Sequence, residues 1–205
     1  DDCRIELDRG GSLVVTGSLV LTNGAALALR ASPVGNPIET PGVTLQTGDN
    51  LEIHAASWIY PVADPTNGAM AVLSVGGDLH ISANGGVDAD AAGYAPGEGP
   101  GRAQPIYSGD GGHGGGGYGG QGGSGYNGAG PGASYGAVAG PVQCGSGGGG
   151  GLNYGSGAGG GAILLEVGGD ATIDGWLTAS GSQAITAIGA VARAGELCIA
   201  AGAKR

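Results

Sequence analysis

Phenylalanine is absent from this chain of 205 residues, and methionine and lysine occur once each. Only 7 basic residues stand against 17 acidic ones, a formal net charge of −10. No basic stripe is available to meet phosphates, so nucleic acid is not an expected partner. The same charge disfavours an anionic membrane surface. No apolar run approaches the ~20 residues needed to span a bilayer. Helix is scarce for a different reason: 51 residues are glycine, and each interior glycine costs a helix about 1 kcal/mol relative to alanine. The three cysteines, Cys3, Cys144 and Cys198, lack zinc-ligand spacing. They are disulfide candidates, and an odd number leaves either a spare thiol or a bond between subunits. The opening Asp1-Asp2-Cys3, with no initiator methionine, is what a secreted chain trimmed of its signal peptide would present.

What the chain does contain is short segments of alternating apolar residues broken by Gly and Asn-Gly, the signature of strands and turns. Ala31 to Pro41 holds Pro33, Pro37 and Pro41 and reads as a surface loop. Five segments share a pattern: a turn with Gly and usually an acid, then apolar–x–apolar. The apolar pairs are Leu13/Val15, Leu51/Ile53, Leu79/Ile81, Ala171/Ile173 and Leu197/Ile199. Residues between them (Val14, Glu52, His80, Thr172 and Cys198) should face the opposite way. Leu13 lies 38 residues before Leu51, Leu51 lies 28 before Leu79, and Ala171 lies 26 before Leu197. Leu79 to Ala171 is 92, but removing the 68 residues from 94 to 161 leaves 24. Periods in the twenties are typical of solenoid coils. The expected fold is all-β: a short parallel β-helix of about five coils in one domain, 1–205. The stretch 94–161 is then a glycine-rich insertion within one coil. An antiparallel β-sandwich is the competing architecture.

The stretch 94–161 holds 31 of the 51 glycines and six of the seven tyrosines. Tyr94, Tyr107, Tyr118, Tyr126, Tyr135 and Tyr154 are spaced regularly enough to pack on a surface and hydrogen-bond through their hydroxyls. They are the candidate contact surface. Glycine recurs at every third position from Gly111 to Gly123 and from Gly116 to Gly128, the geometry that polyproline-type helices exploit. Bundled polyglycine strands, a compact lid and a flexible linker are the readings for this stretch.

Its blocks run Gly-Tyr-Ala-Pro-Gly-Glu-Gly-Pro-Gly (93–101), Gly-Asp-Gly-Gly-His-Gly-Gly-Gly-Gly (109–117) and Gly-Ser-Gly-Gly-Gly-Gly-Gly (145–151). Gly-Ala-Gly-Gly-Gly-Ala-Ile-Leu-Leu-Glu-Val (157–167) follows. In style and order they resemble the glycine-rich segments of large secreted bacterial surface proteins with β-helical repeats. The resemblance covers roughly residues 70–181. It implies an extracellular structural or adhesive role and carries over no catalytic residue.

No strong catalytic motif appears, and no cofactor is expected. Asp88 and Asp90 could offer oxygens to calcium, which needs six to eight, but nothing near them in sequence completes the set. His54, His80 and the neighbouring acids could form an outward ladder that binds a metal, for which ordinary solvated side chains on the outer face are the simpler account. A β-helical carbohydrate-active enzyme is disfavoured by the scarcity of basic groups. The leading expectation is a secreted structural protein that assembles with itself head to tail into a filament or surface layer. The first alternative is an adhesin or glycan-binding module that uses the tyrosines.

Overall fold

The computed structural model describes residues 3–8, 10–104, 113–125, 129–136, 143–149, 156–182 and 199–203. Among these residues there are fourteen strands and no helix. Every strand pairing is parallel. Sheet A orders β1 (Arg4–Leu7), β4 (Ala26–Arg30), β7 (Trp58–Val62), β10 (Gly86–Asp88) and β13 (Trp176–Thr178). Sheet B orders β2 (Gly11–Val15), β5 (Val43–Thr47), β8 (Ala71–Val75), β11 (Ile163–Val167) and β14 (Ile199–Ala203). Sheet C orders β3 (Leu19–Leu21), β6 (Leu51–Ile53), β9 (Leu79–Ile81) and β12 (Ala171–Ile173). The chain visits the sheets in the cyclic order A, B, C, so the arrangement is all-β and β-helix-like. An antiparallel sandwich is ruled out by the parallel pairings.

Apolar–x–apolar segments stack because alternate side chains of each strand enter a shared interior. Leu13, Leu45, Leu73 and Leu165 stand in one register column. Leu19, Leu51, Leu79 and Ala171 stand in another. Leu29, Leu45, Leu51, Ile53, Ile59, Leu73, Leu79 and Ile81 are completely buried there. Burying each such side chain contributes about 1.5–3 kcal/mol.

The sequence pattern located the three middle repeats correctly and misassigned the outer two. Leu51, Leu79 and Ala171 share a column as expected. Leu13, however, belongs to sheet B and pairs with Leu45, so the partner of Leu51 is Leu19. Ile199 likewise pairs with Ile163 in sheet B, not with Ile173. The physical reason is that β2 carries the same alternation after a glycine turn as the strands of sheet C. A period of two cannot tell which of the three sheets a strand joins. The corrected first circuit is 32 residues from Leu13 to Leu45, and the next is 28 from Leu45 to Leu73.

The corners differ sharply. Between B and C the turns stack so closely that a Cβ on Gly76 would lie 2.2 Å from the Gly48 carbonyl oxygen. One on Gly168 would lie 2.4 Å from that of Gly76. The acid after each glycine pair has its own task. Asp78 N–H donates to Asn50 Oδ1, and Asp170 N–H donates to Asp78 Oδ1, each at 2.9 Å. Between C and A the chain makes four-residue turns closed by Ala25 N–H to Thr22 O, Ser57 N–H to His54 O and Gly85 N–H to Ser82 O. These turns require positive φ, met by Asn23 (57°), Asn84 (63°) and, less comfortably, Ala56 (63°). A left-handed alanine costs roughly 1–2 kcal/mol. Ala56→Gly is therefore expected to stabilise the fold by up to ~1 kcal/mol after the added unfolded-state entropy is subtracted. A urea melt that shows a loss of stability would contradict this.

All the long connections leave at the third corner, between A and B. They run 31–42, 63–70, 89–162 and 179–198, the last lying outside the described residues from 183 on. The glycine-rich stretch lies inside 89–162. Strands β8 and β11 on either side of it pair directly, Leu73 with Leu165.

Candidate interaction surface

Three of the connections at the A–B corner, 31–42, 63–70 and 89–162, pack on one another. Asn67 Nδ2–H donates to Val34 O at 2.7 Å, and Ala63 N–H donates to Ala92 O at 2.9 Å. Ala95 N–H reaches Pro65 O at 2.9 Å. Asp64 organises the middle connection, its Oδ1 accepting from Thr66 N–H, Thr66 Oγ1–H and Asn67 N–H at 3.0, 2.6 and 2.8 Å. Burial raises the pKa of this carboxyl, but the bonds from Thr66 and Asn67 outweigh it and hold the value below the ordinary one.

Outside this corner the described glycine segments form a layer of their own. The segment 113–118 is central. Gly117 N–H donates to Gly101 O (2.8 Å), Gly115 N–H to Gly123 O (2.8 Å), Gly132 N–H to Gly115 O (2.9 Å) and Gly149 N–H to Gly114 O (2.9 Å). Successive residues face different neighbours. A Cβ on Gly114 would meet Gly130, one on Gly115 would meet Gly123, and one on Gly116 would meet Ser146 and Gly147. One on Gly117 would return to Ala133, beside Gly130 on the first neighbour. A period of three is the spacing expected of bundled polyglycine-type strands. Gly114 to Tyr118 and Cys144 to Gly149 are buried within the layer.

The tyrosines expected at an outward contact surface turn inward where they are described. Tyr94 is 6 % exposed and Tyr118 8 %. Tyr94 Oη–H donates to Asn67 O at 3.0 Å and ties the layer to the scaffold. Tyr135 is half-buried. Its ring meets Tyr118 edge-on, with centroids 5.1 Å apart. The Tyr135 hydroxyl donates to Cys144 O and accepts from Ser146 Oγ. Ser146 Oγ in turn accepts from Gly101 N–H at 2.9 Å. Glycine backbones leave large gaps, and ring-sized groups fill them, so burial wins over display. Tyr107, Tyr126 and Tyr154 lie outside the described residues.

No disulfide occurs among the described residues. Cys3 is exposed and Cys144 is fully buried beside Tyr94, Met70, Ala63 and Ala162, so Cys144 is removed as a candidate for a bond between subunits. Cys198 lies outside the described residues. Burial pushes the Cys144 thiol from 9.0 up to about 12, and burial with nearby Cys144 and Asp64 pushes Tyr94 from 10.0 to about 12. Both groups are neutral when protonated, so their raised values favour the fold below pH 9. Between pH 9 and 12 for Cys144, and between pH 10 and 12 for Tyr94, the unfolded chain releases protons that the fold retains. Stability is then expected to fall by about 1.4 kcal/mol per pH unit for each such group. In a Cys198→Ser background at pH 8, a thiol reagent is expected to label Cys3 quickly and Cys144 only on unfolding. Fast labelling of both would contradict the burial.

The remaining candidates from the sequence are engaged locally. Asp88 Oδ1 accepts from Asp90 N–H at 2.8 Å and Thr178 Oγ1–H at 3.2 Å, while Asp90 Oδ1 accepts from Ser180 N–H at 2.6 Å. These acids join two circuits. Glu52 stands next to His80 and His80 next to Thr172 along the outer face of sheet C. His54 Nε2 lies 3.2 Å from Glu52, and His80 Nε2 lies 3.9 Å from Asp174. Among the described residues no three His, Cys, Asp or Glu side chains gather in a way that could hold a metal.

Sequence reasoning put Val14 on the outer face but missed the other exposed apolar side chains. Ile5 (57 %), Val14 (59 %) and Val20 (49 %) are exposed on β1, β2 and β3. Trp176 (60 %) and Ile173 (43 %) are exposed at the opposite end. Val14 and Val20 occupy outward positions whose column mates are polar: Gln46, Ser74 and Glu166 for one, Glu52, His80 and Thr172 for the other. The signal was present in the unbroken apolar triplets Leu13-Val14-Val15 and Leu19-Val20-Leu21. No protein family, curated protein or solved structure matches this chain.

Proposed function

We propose that the chain is a short parallel β-helix of about five coils, 1–205, with 94–161 inserted in one coil, and that it is a non-catalytic extracellular structural subunit. It assembles with itself head to tail into a filament or surface layer. The observation that carries this reading is the end formed by β1, β2 and β3. Ile5 stands in the same column as Leu27, Ile59 and Val87, yet it is 57 % exposed where those are 3 %, 0 % and 0 %. Val14 and Val20 surround the same end. Edge strands with open amides and apolar side chains recruit another strand layer, and a contact between unlike ends propagates. The local engagement of Asp88 and Asp90 further supports a structural role.

Electron microscopy of the purified chain tests the reading. Filaments are expected with an axial repeat of about 24 Å, five strand layers at ~4.8 Å each. A species that stays monomeric in sedimentation at high concentration would overturn it.

A further inference from the structure

Resting on that head-to-tail reading, we propose the register of the contact: Arg4 of one copy lies on Trp176 of the next, and sheets A and B continue unbroken across the junction. Arg4, Ala26, Trp58, Gly86 and Trp176 form a single outward column of sheet A. Its two terminal members are both open to solvent, Arg4 with 62 % of its side chain exposed and Trp176 at 60 %. One strand step beyond Trp176 is about 4.8 Å, inside the ~6 Å over which a guanidinium is attracted to an indole face. The adjacent outward column ends in Glu6 on β1 and Thr178 on β13. In sheet B, β2 and β14 are both five residues long. In register, the bulky Leu13, Val14 and Val15 fall opposite Ala201, Gly202 and Ala203, the sites that follow Leu165, Glu166 and Val167 in their columns.

Sheet C has four strands where A and B have five, so β3 of the next copy stands one strand width away from β12. Turning the second copy by one face closes that gap. With Ile5 kept on the inward column of Ala171, it would set five-residue β2 on three-residue β13 and carry Arg4 to Asp170, away from the indole. Matched strand lengths and the cation–aromatic pair favour the unturned stack.

Paired cysteines discriminate the two in a Cys3→Ser, Cys198→Ser background. Glu6→Cys with Thr178→Cys is expected to give a ladder of covalent oligomers on mild oxidation, because one strand step falls inside the ~4.4–6.8 Å range of disulfide Cα separations. Glu6→Cys with Thr172→Cys, which reports the turned stack, is expected to stay unlinked. A ladder from the second pair, or filaments in which neither pair links, would overturn the register and leave head-to-tail assembly intact. Absence of any assembly by the unmodified chain would overturn both. A second measurement does not depend on the cysteine variants folding. Arg4→Ala is expected to raise the critical concentration about fivefold. In a Trp58→Phe chain, iodide quenching of Trp176 is expected to drop on assembly. Unchanged values of both would overturn the contact.

Discussion

Gly159→Ala is expected to destabilise the glycine layer by at least ~3 kcal/mol, whereas Gly120→Ala is expected to change stability by less than ~0.5 kcal/mol. The two positions belong to the same low-complexity stretch and receive the same methyl group. At Gly159 that methyl would lie 1.8 Å from the carbonyl oxygen of Gly145 and 2.3 Å from its carbonyl carbon. Both are backbone atoms, so no side chain can rotate away. Gly145 is itself held by its N–H bond to Gly160 O at 2.8 Å. Relief would require separating two segments and breaking the bonds between them. At Gly120 nothing lies within 4 Å, and the lower entropy of an unfolded alanine offsets small losses. Urea unfolding followed by circular dichroism distinguishes the outcomes. Equal effects at the two positions would mean that the layer is not packed as described.

Tyr94→Ala is expected to cost about 3–5 kcal/mol, the range for removing a buried aromatic, and to detach the layer from the scaffold. The ring is the largest side chain in the small cluster with Ala63, Met70, Cys144 and Ala162. It lies so close over Gly68, whose φ is +76°, that a Cβ there would come within 2.3 Å of the ring. Tyr94→Phe keeps the ring and loses only the hydroxyl bond to Asn67 O, for about 1 kcal/mol. Limited proteolysis reads the difference: cleavage between 95 and 161 is expected to accelerate strongly in the alanine variant and slightly in the phenylalanine one. Scaffold strands such as Leu79–Ile81 should stay protected in both. Simultaneous cleavage of scaffold and layer would show instead that the two unfold as one unit.

Much of the scaffold was legible because its repeats obey simple periodicities. Leu51, Leu79 and Ala171 align by eye, with their glycine pairs and acids, and the structure puts them in one column. The acid's reason was not legible. A carboxylate that accepts the amide of the next circuit, as Asp78 does from Asp170, shows itself only once the circuits are stacked. The assignment of Leu13 failed for the same cause, since local alternation contains no label for the sheet. In the glycine layer the period of three was visible in sequence, but the direction in which Tyr94 and Tyr118 point was not. Sequence spacing gives a ring's position along the chain, and only packing decides whether it faces water. Trp176 escaped notice because the turn before it is shorter than its counterparts. Gly86 pairs with Trp176 90 residues on, while Leu79 pairs with Ala171 92 residues on.

The glycine layer has a kinetic corollary. Ordering each residue costs roughly 1–2 kcal/mol of backbone entropy, more for glycine than for any other residue. The layer has little apolar area to set against that loss, and its described apolar cluster includes Ala63 and Met70, which the scaffold's own connection supplies. Its segments therefore lack a nucleus until the 63–70 connection is in place. Folding should accordingly proceed in sequence, with the stacked strands collapsing first as a template. The glycine segments, within the more than seventy residues that connect β10 of sheet A to β11 of sheet B, would then be annealed onto it as a separate and slower phase.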